Sequence, residues 1–291
     1  MDKSFKRLNS FSEIIDKYES FIFDCDGTLW SASKKYEEAF KTLELLKSKG
    51  KKIYFLTNAT HRSRKEYQQK LKRFGFETGI EYIYNASYLA VSYIKLVYPE
   101  IKKIYIIGMK PPVDDALELG LQVVGGPDHN NKFIESDEDF LHIPVEDDID
   151  GVLVAFDFGF NYYKLAYASL CIQKGAKLFA TNEDAFDNIG QYNLPRAGCA
   201  LKALEKATQK TAIILGKPNA FGMETLKAQH DLDLSKTVMI GDNIDTDILF
   251  GINCGIDTVL VLTGVSNEDT LKKQMEKEKP IFPTYVCRNL E

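Results

Sequence analysis

The chain has 291 residues, 44% hydrophobic and 27% charged, with a formal net charge of −5. That is enough for one large globular domain or two ordinary ones, and an acidic balance with no basic stripe argues against nucleic acid as a partner. No apolar run approaches the roughly 18 residues that suggest a membrane span, residues 1–20 lack the apolar centre of a secretion signal, and Cys25, Cys171, Cys199, Cys254 and Cys287 are scattered like reduced thiols, so a cytoplasmic protein with no membrane partner is expected.

In chain order, residues 11–19 suit a short helix leading into the apolar run Phe21-Ile22-Phe23, which is too short for a helix and suits a buried strand. A helix is predicted over 36–49, stopped by Gly50, then a strand over 52–58 and a helix over 63–74 closed by Gly75. This β-α-β-α alternation predicts a parallel sheet. A second block follows, with strands expected at 103–108, 121–126, 151–157 and 177–182, helices at 112–119 and 161–174, and polar loops at 129–140 and 145–150. From 199 the first pattern is expected to resume: a helix to 208, a strand over 212–217, a helix over 220–230, a strand over 237–242, a short helix over 244–250 and a strand over 257–264. A solvated helix over 267–279 and an edge strand in the last residues complete it. The expected fold is α/β: a doubly wound, Rossmann-like parallel core of residues 1–90 and 199–291, with a smaller α/β domain, residues 91–198, inserted as a cap.

The chemistry-bearing residues follow apolar strands. FIF runs directly into Asp24, Asp26, Gly27 and Thr28. Asp-Gly alone is ordinary turn chemistry, but D-x-D-G-T arises by chance on the order of once in several hundred chains of this length. Other predicted strands end in Thr57-Asn58, in Lys217, and in Asp242 with Asp245 and Asp247 behind it. Each has a plainer reading: Thr57 and Asn58 as helix caps, Lys217 as a surface lysine, Asp242 as a helix entry. In a parallel sheet all four ends would meet at one edge, where ligands bind.

Charge says what such a meeting could do. A phosphate monoester carries about −2 near neutral pH, so bringing Asp24 to about 4 Å at an effective dielectric near 20 costs about 8 kcal/mol in all. Mg2+ on hard carboxylate ligands such as Asp24 and Asp242 offsets that cost, and Lys217 adds a second positive charge. Thr57 and the backbone N–H of Asn58 would fix another phosphoryl oxygen. Asp24 is then the expected nucleophile of an aspartyl-phosphate route, with Asp26 as general acid and base.

The strings FDCDGTLW, FLTNAT, GKP and GDNIDTD resemble the four motifs of the haloacid dehalogenase superfamily of phosphatases. Nearly the whole chain is similar to its 4-nitrophenylphosphatase and phosphoglycolate phosphatase branch, which carries a large α/β cap. The resemblance implies a magnesium site of Asp24, the carbonyl of Asp26, and Asp242, with Asp247 supporting it, and phosphate contacts from Thr57, Asn58, Ala59 and Lys217. It implies a cap segment, Glu183, Asp184, Ala185, Phe186, Asp187 and Asn188, that selects the substrate, and often a homodimer formed through the cap. Ala59 stands where the family often has a second Asn, so altered selectivity is expected. The activity implied is hydrolysis of small phosphorylated metabolites, phosphoglycolate foremost, with pyridoxal phosphate as the alternative. A carboxylate-bearing substrate calls for a basic group such as Arg62, Arg64 or Arg196. The rival of another class is a non-catalytic scaffold that binds phospho-ligands, which retention of all four motifs argues against.

Overall fold

In this computed structural model, residues 5–189 and 192–291 are described. The chain divides into two compact units, one of Met1–Thr57, Arg64–Tyr84 and Lys217–Glu291, the other of Asn58–Ser63 and Asn85–Gly216.

The first unit is built on a seven-stranded sheet in the order Lys6–Arg7, Tyr285–Cys287, Asp257–Val261, Thr237–Gly241, Ser20–Phe23, Lys52–Thr57, Ile83–Asn85. Its central pairings are parallel, which is why its strands read as unbroken apolar runs buried on both faces. Phe23 lies opposite Ile240 on one side and Phe55 on the other. Asp24, Asp242 and Thr57 therefore leave the sheet at the same carboxyl edge. The helix Glu37–Ser48 buries Phe40, Leu43 and Leu46 and is followed by Gly50 at φ +68°, the left-handed geometry that ends a helix. Two expectations change here. The helix over 11–19 shrinks to Ser12–Ile15. Tyr285–Cys287 is not the edge strand, because Lys6–Arg7 pairs outside it, a short, charged edge of the kind that resists further pairing.

The second unit carries a five-stranded parallel sheet in the order Ile213–Ile214, Lys177–Ala180, Gly151–Val154, Lys103–Ile107, Gln122–Gly125. Its core includes Tyr105, Val152, Val154, Tyr167, Leu178, Leu201 and Leu204. A fully buried Lys164 is held by Asp157 at 2.5 Å and Asn130 at 2.6 Å, a charge tolerated inside because it is paired.

The stretch 199–216, expected in the core's second part, belongs to this unit instead. Ile213–Ile214 pairs with Phe179–Ala180, and the helix Ala197–Thr208 buries Leu201 and Leu204 in the second core. Periodicity shows that a run is buried, not which sheet it joins. The helix Ala86–Val97 goes unpredicted because most of its turns are buried, so no polar stripe marks its period. The segment 183–188, expected to be a loop that selects the substrate, is not a simple loop: Phe186–Ile189 pairs antiparallel with Tyr192–Pro195.

Candidate active site

The acidic turn starts as Asp24 leaves the sheet with its N–H on the Ile240 carbonyl, 2.8 Å. Gly27 then takes φ +92°, and a Cβ there would stand 2.4 Å from Asp242 Oδ2, so only glycine fits both the backbone and the space. Asp242 is buried on the neighbouring strand end, where its carboxylate accepts from Val265 N–H at 2.6 Å and Thr28 Oγ1 at 3.3 Å. The helix-entry role falls to Asn243, whose side chain accepts from Asp245 N–H at 3.0 Å. The wide π-type turn Ile244–Ile248 then separates the two following acids: Asp247 turns inward and is buried, whereas Asp245 faces solvent.

Lys217, only 4% exposed, completes the group. Its ammonium donates to Asp24 Oδ1 at 2.6 Å, Asp247 Oδ1 at 2.7 Å and the Leu56 carbonyl at 2.8 Å. Three donors meet three acceptors. Burial alone would lower the Lys217 pKa, but Asp24 and Asp247 reverse that and raise it, keeping it a cation. Burial pushes Asp24 upward against the pull of Lys217. Asp242 is pushed up to about 7, first by burial and then by the charge of Asp247, against the Val265 N–H and Lys217.

Oxygens of Asp24, Asp242 and Asp247 all lie within 4.8 Å of one another. Three buried carboxylates against one lysine leave an excess of negative charge. Their hard oxygen donors suit a divalent cation such as Mg2+, and Gly264, where a Cβ would stand 2.0 Å from Asp242 Oδ2, keeps the second side of that carboxylate clear. The cluster could hold a metal.

Thr57 ends its strand buried, and the next helix begins only at Arg64, which removes the helix-cap reading for Thr57 and Asn58. Asn58 and Ala59 open the short segment assigned to the second unit, where the Asn58 carbonyl accepts from Asn182 Nδ2 at 2.9 Å. In the same unit Glu183 pairs with Lys202 at 3.0 Å, Asp184 N–H donates to Asn182 Oδ1, the Ala185 carbonyl accepts from Arg196 N–H, and Phe186 is 51% exposed. Asp187 and Asn188 lie opposite Leu194 and Asn193 in the hairpin; their side chains fall outside the described residues. Of the candidate basic groups, Arg64 is buried and donates to the Ile80 carbonyl, while the Arg196 guanidinium lies 4.7 Å over the Phe156 ring.

A family model described as haloacid dehalogenase-like hydrolase matches residues 21–122, and one described as HAD-hydrolase-like matches 214–291. The chain is 37% identical over 283 residues to "Phosphoglycolate phosphatase 1A, chloroplastic" of Arabidopsis thaliana, covering 96% of this chain and 78% of that one. This chain belongs to the haloacid dehalogenase-like hydrolases. It is also 33% identical over 295 residues to the 4-nitrophenylphosphatase of Schizosaccharomyces pombe, covering 100% of this chain and 98% of that one. Among solved structures, a 4-nitrophenylphosphatase from Thermotoga maritima superposes with a TM-score of 0.80 at 25% identity, covering 95% of this chain and 96% of that one. As a member of this phosphatase group, the chain is a phosphoric monoester hydrolase. Among the described residues, no helix is long and apolar enough to cross a membrane.

In this hydrolase the site is also held by residues with no chemistry expected of them: Thr28 belongs to the D-x-D-G-T string, and its hydroxyl lies on Asp242. The turn before Ser266 clasps the acidic loop: Thr263 Oγ1 donates to the Gly27 carbonyl at 2.7 Å, and Ser266 N–H donates to the Asp242 carbonyl at 2.9 Å. Their only sequence signal is the string VLTGVS.

Proposed function

We propose that this hydrolase cleaves small phosphorylated metabolites through an aspartyl-phosphate on Asp24, with 2-phosphoglycolate as the leading substrate and 4-nitrophenyl phosphate as an artificial one. The observation that carries the reading is the gathering of Asp24, Asp242 and Asp247 around Lys217 in a chain whose relatives bear those two phosphatase names. Asp24 attacks phosphorus, the ester P–O bond breaks, and its electron pair leaves on the ester oxygen, which takes a proton from Asp26. Asp26 then removes a proton from water as that water attacks phosphorus, releasing inorganic phosphate and regenerating the Asp24 carboxylate. Lys217, the Thr57 hydroxyl and the backbone N–H groups of Asn58 and Ala59 are assigned to the phosphoryl oxygens. Mg2+ held by Asp24, Asp242 and the Asp26 carbonyl, with Asp247 in support, would offset the repulsion between nucleophile and substrate.

Selection of the leaving group is assigned to Glu183–Asn188, with Arg196 as the basic group for a substrate carboxylate. A panel of metabolite phosphates including 2-phosphoglycolate and pyridoxal phosphate, ranked by kcat/KM, tests the substrate. The reading expects 2-phosphoglycolate to lead by at least about tenfold; pyridoxal phosphate in first place would overturn the assignment while keeping the mechanism. Free cysteines throughout support a cytoplasmic, reducing setting. A homodimer through the second unit is the assembly the family resemblance implies, which light scattering checks; a monomeric mass rejects it.

The metal assignment has a pH signature. Asp242 binds its proton more tightly folded, near 7, than an unfolded Asp near 4. Between those values the folded protein holds more protons, so stability of the metal-free protein falls as pH rises through that window. Mg2+ at about 100 times its Kd adds about 2.7 kcal/mol where it competes with no proton. The melting temperature of EDTA-treated protein should therefore drop from about pH 5 to about pH 7.5. Millimolar Mg2+ should raise it more at the higher pH, and Asp242→Asn should flatten both trends. A Mg2+ shift that is larger at the lower pH contradicts the assignment.

A further inference from the structure

Asp26 is not left loose at the end of its turn. Its Oδ1 accepts the indole N–H of Trp30 at 2.7 Å. Trp30 is fully buried, its ring stacked on Tyr67 with centroids 6.3 Å apart and planes at 22°. The Lys70 ammonium sits 4.1 Å over that ring and 3.9 Å from Asp26 Oδ1, and it donates to the Ala32 carbonyl at 3.1 Å. Below the turn, Gly27 N–H closes onto the Trp30 carbonyl at 2.7 Å. The side chain of Lys70 is 6% exposed and that of Asp26 is 43% exposed. Oδ1 is thus anchored in a buried aromatic and cationic nest, while Oδ2 accepts from the Tyr67 hydroxyl at 3.5 Å on a side chain that remains partly exposed.

We propose that Trp30, seated by Lys70, is a positioning residue for Asp26, its indole N–H holding the carboxyl in the rotamer that serves the leaving oxygen. The proposal rests on the reading of Asp26 as general acid. An Asp side chain on a turn has several staggered rotamers available; a buried ring that must place its N–H on an acceptor selects one of them.

A structural role would slow every substrate alike, whereas a role in proton donation matters in proportion to how badly the leaving group needs a proton. The chain has one tryptophan, so growth on 3-benzothienylalanine replaces the Trp30 N–H with sulfur and keeps the bicyclic shape. The readout is kcat/KM, which ends at departure of the alcohol and is blind to the later hydrolysis, for the best alkyl phosphate of the panel and for 4-nitrophenyl phosphate. The alkyl ester should fall about ten- to a hundredfold, a part of what a general acid contributes, and the nitrophenyl ester by less than about threefold. Lys70→Met, which unseats the ring without removing it, should show the same bias at smaller size, and it carries the test should the analogue-containing protein not fold. Equal losses on both esters, or no loss on either, overturn the proposal. Asp26→Asn is the control: if it fails to discriminate between the esters, the acid assignment itself is wrong; if it discriminates and the Trp30 and Lys70 replacements do not, only the positioning role is lost.

Discussion

Asp24→Asn is expected to abolish phosphatase activity, by about 10⁴-fold or more in kcat, while leaving the metal-free protein as stable as the parent or more so. The first half follows from chemistry: a carboxamide cannot form the aspartyl-phosphate, and removing a nucleophile costs on that order or beyond. The second follows from the charges around it. With all three acids within 4.8 Å of one another and an effective dielectric near 20, each like-charge pair costs at least about 3.5 kcal/mol, so Asp242 and Asp247 together oppose the Asp24 charge by at least about 7. Lys217 at 2.6 Å returns about 6 on the same scale. The two nearly cancel, and the burial of Asp24 tips the sum against its charge. A side chain kept for structure would show the opposite pattern, lost stability with residual turnover. Activity within tenfold of the parent ends the nucleophile assignment. Lost activity with a melting temperature lowered as much as by a core deletion would make Asp24 a structural residue. Phosphate release and thermal unfolding of one preparation decide between these outcomes.

The legible part of this protein was the part where polar residues interrupt apolar runs. Asp24, Thr57 and Asp242 each follow a buried strand of one parallel sheet, and parallel pairing puts such ends at one edge whatever the loops do. Lys217 was singled out for a reason the structure revises. It follows an apolar run, but that run pairs in the second unit's sheet, whereas Lys217 itself belongs to the first unit. Asp245 and Asp247 look equivalent in GDNIDTD; the wide turn that buries one and exposes the other depends on Asn243 and on packing around Ile244 and Ile248. The Phe186–Ile189 hairpin and the helix Ala86–Val97 had no readable period. Trp30, four residues past Asp26, could have been flagged only by asking what a buried indole N–H would bond to.

Lys217→Met should be the most damaging single change to stability among the site residues. Methionine matches the length of the lysine stem but leaves Asp24 and Asp247 buried without a counter-ion, and breaking a buried pair in this way costs about 3–5 kcal/mol. For a chain of this size that is a drop in melting temperature of about 10 °C. Activity should fall about 10²- to 10³-fold, the usual loss when one preorganised positive group is removed from the transition state. Arginine should not rescue it, since a planar fork cannot place donors on the three acceptors now met by one compact ammonium. Charge arithmetic makes two further demands. Mg2+ should stabilise Lys217→Met more than it stabilises the parent, because the cation supplies the positive charge that was lost. Adding Asp24→Asn to Lys217→Met should recover much of the stability, giving a coupling of about 1–3 kcal/mol in a double-mutant cycle. If the two substitutions are additive within about 0.5 kcal/mol, Lys217 and Asp24 do not share one electrostatic unit, and the gathering of acids around a single lysine is packing without the charge balance argued for it.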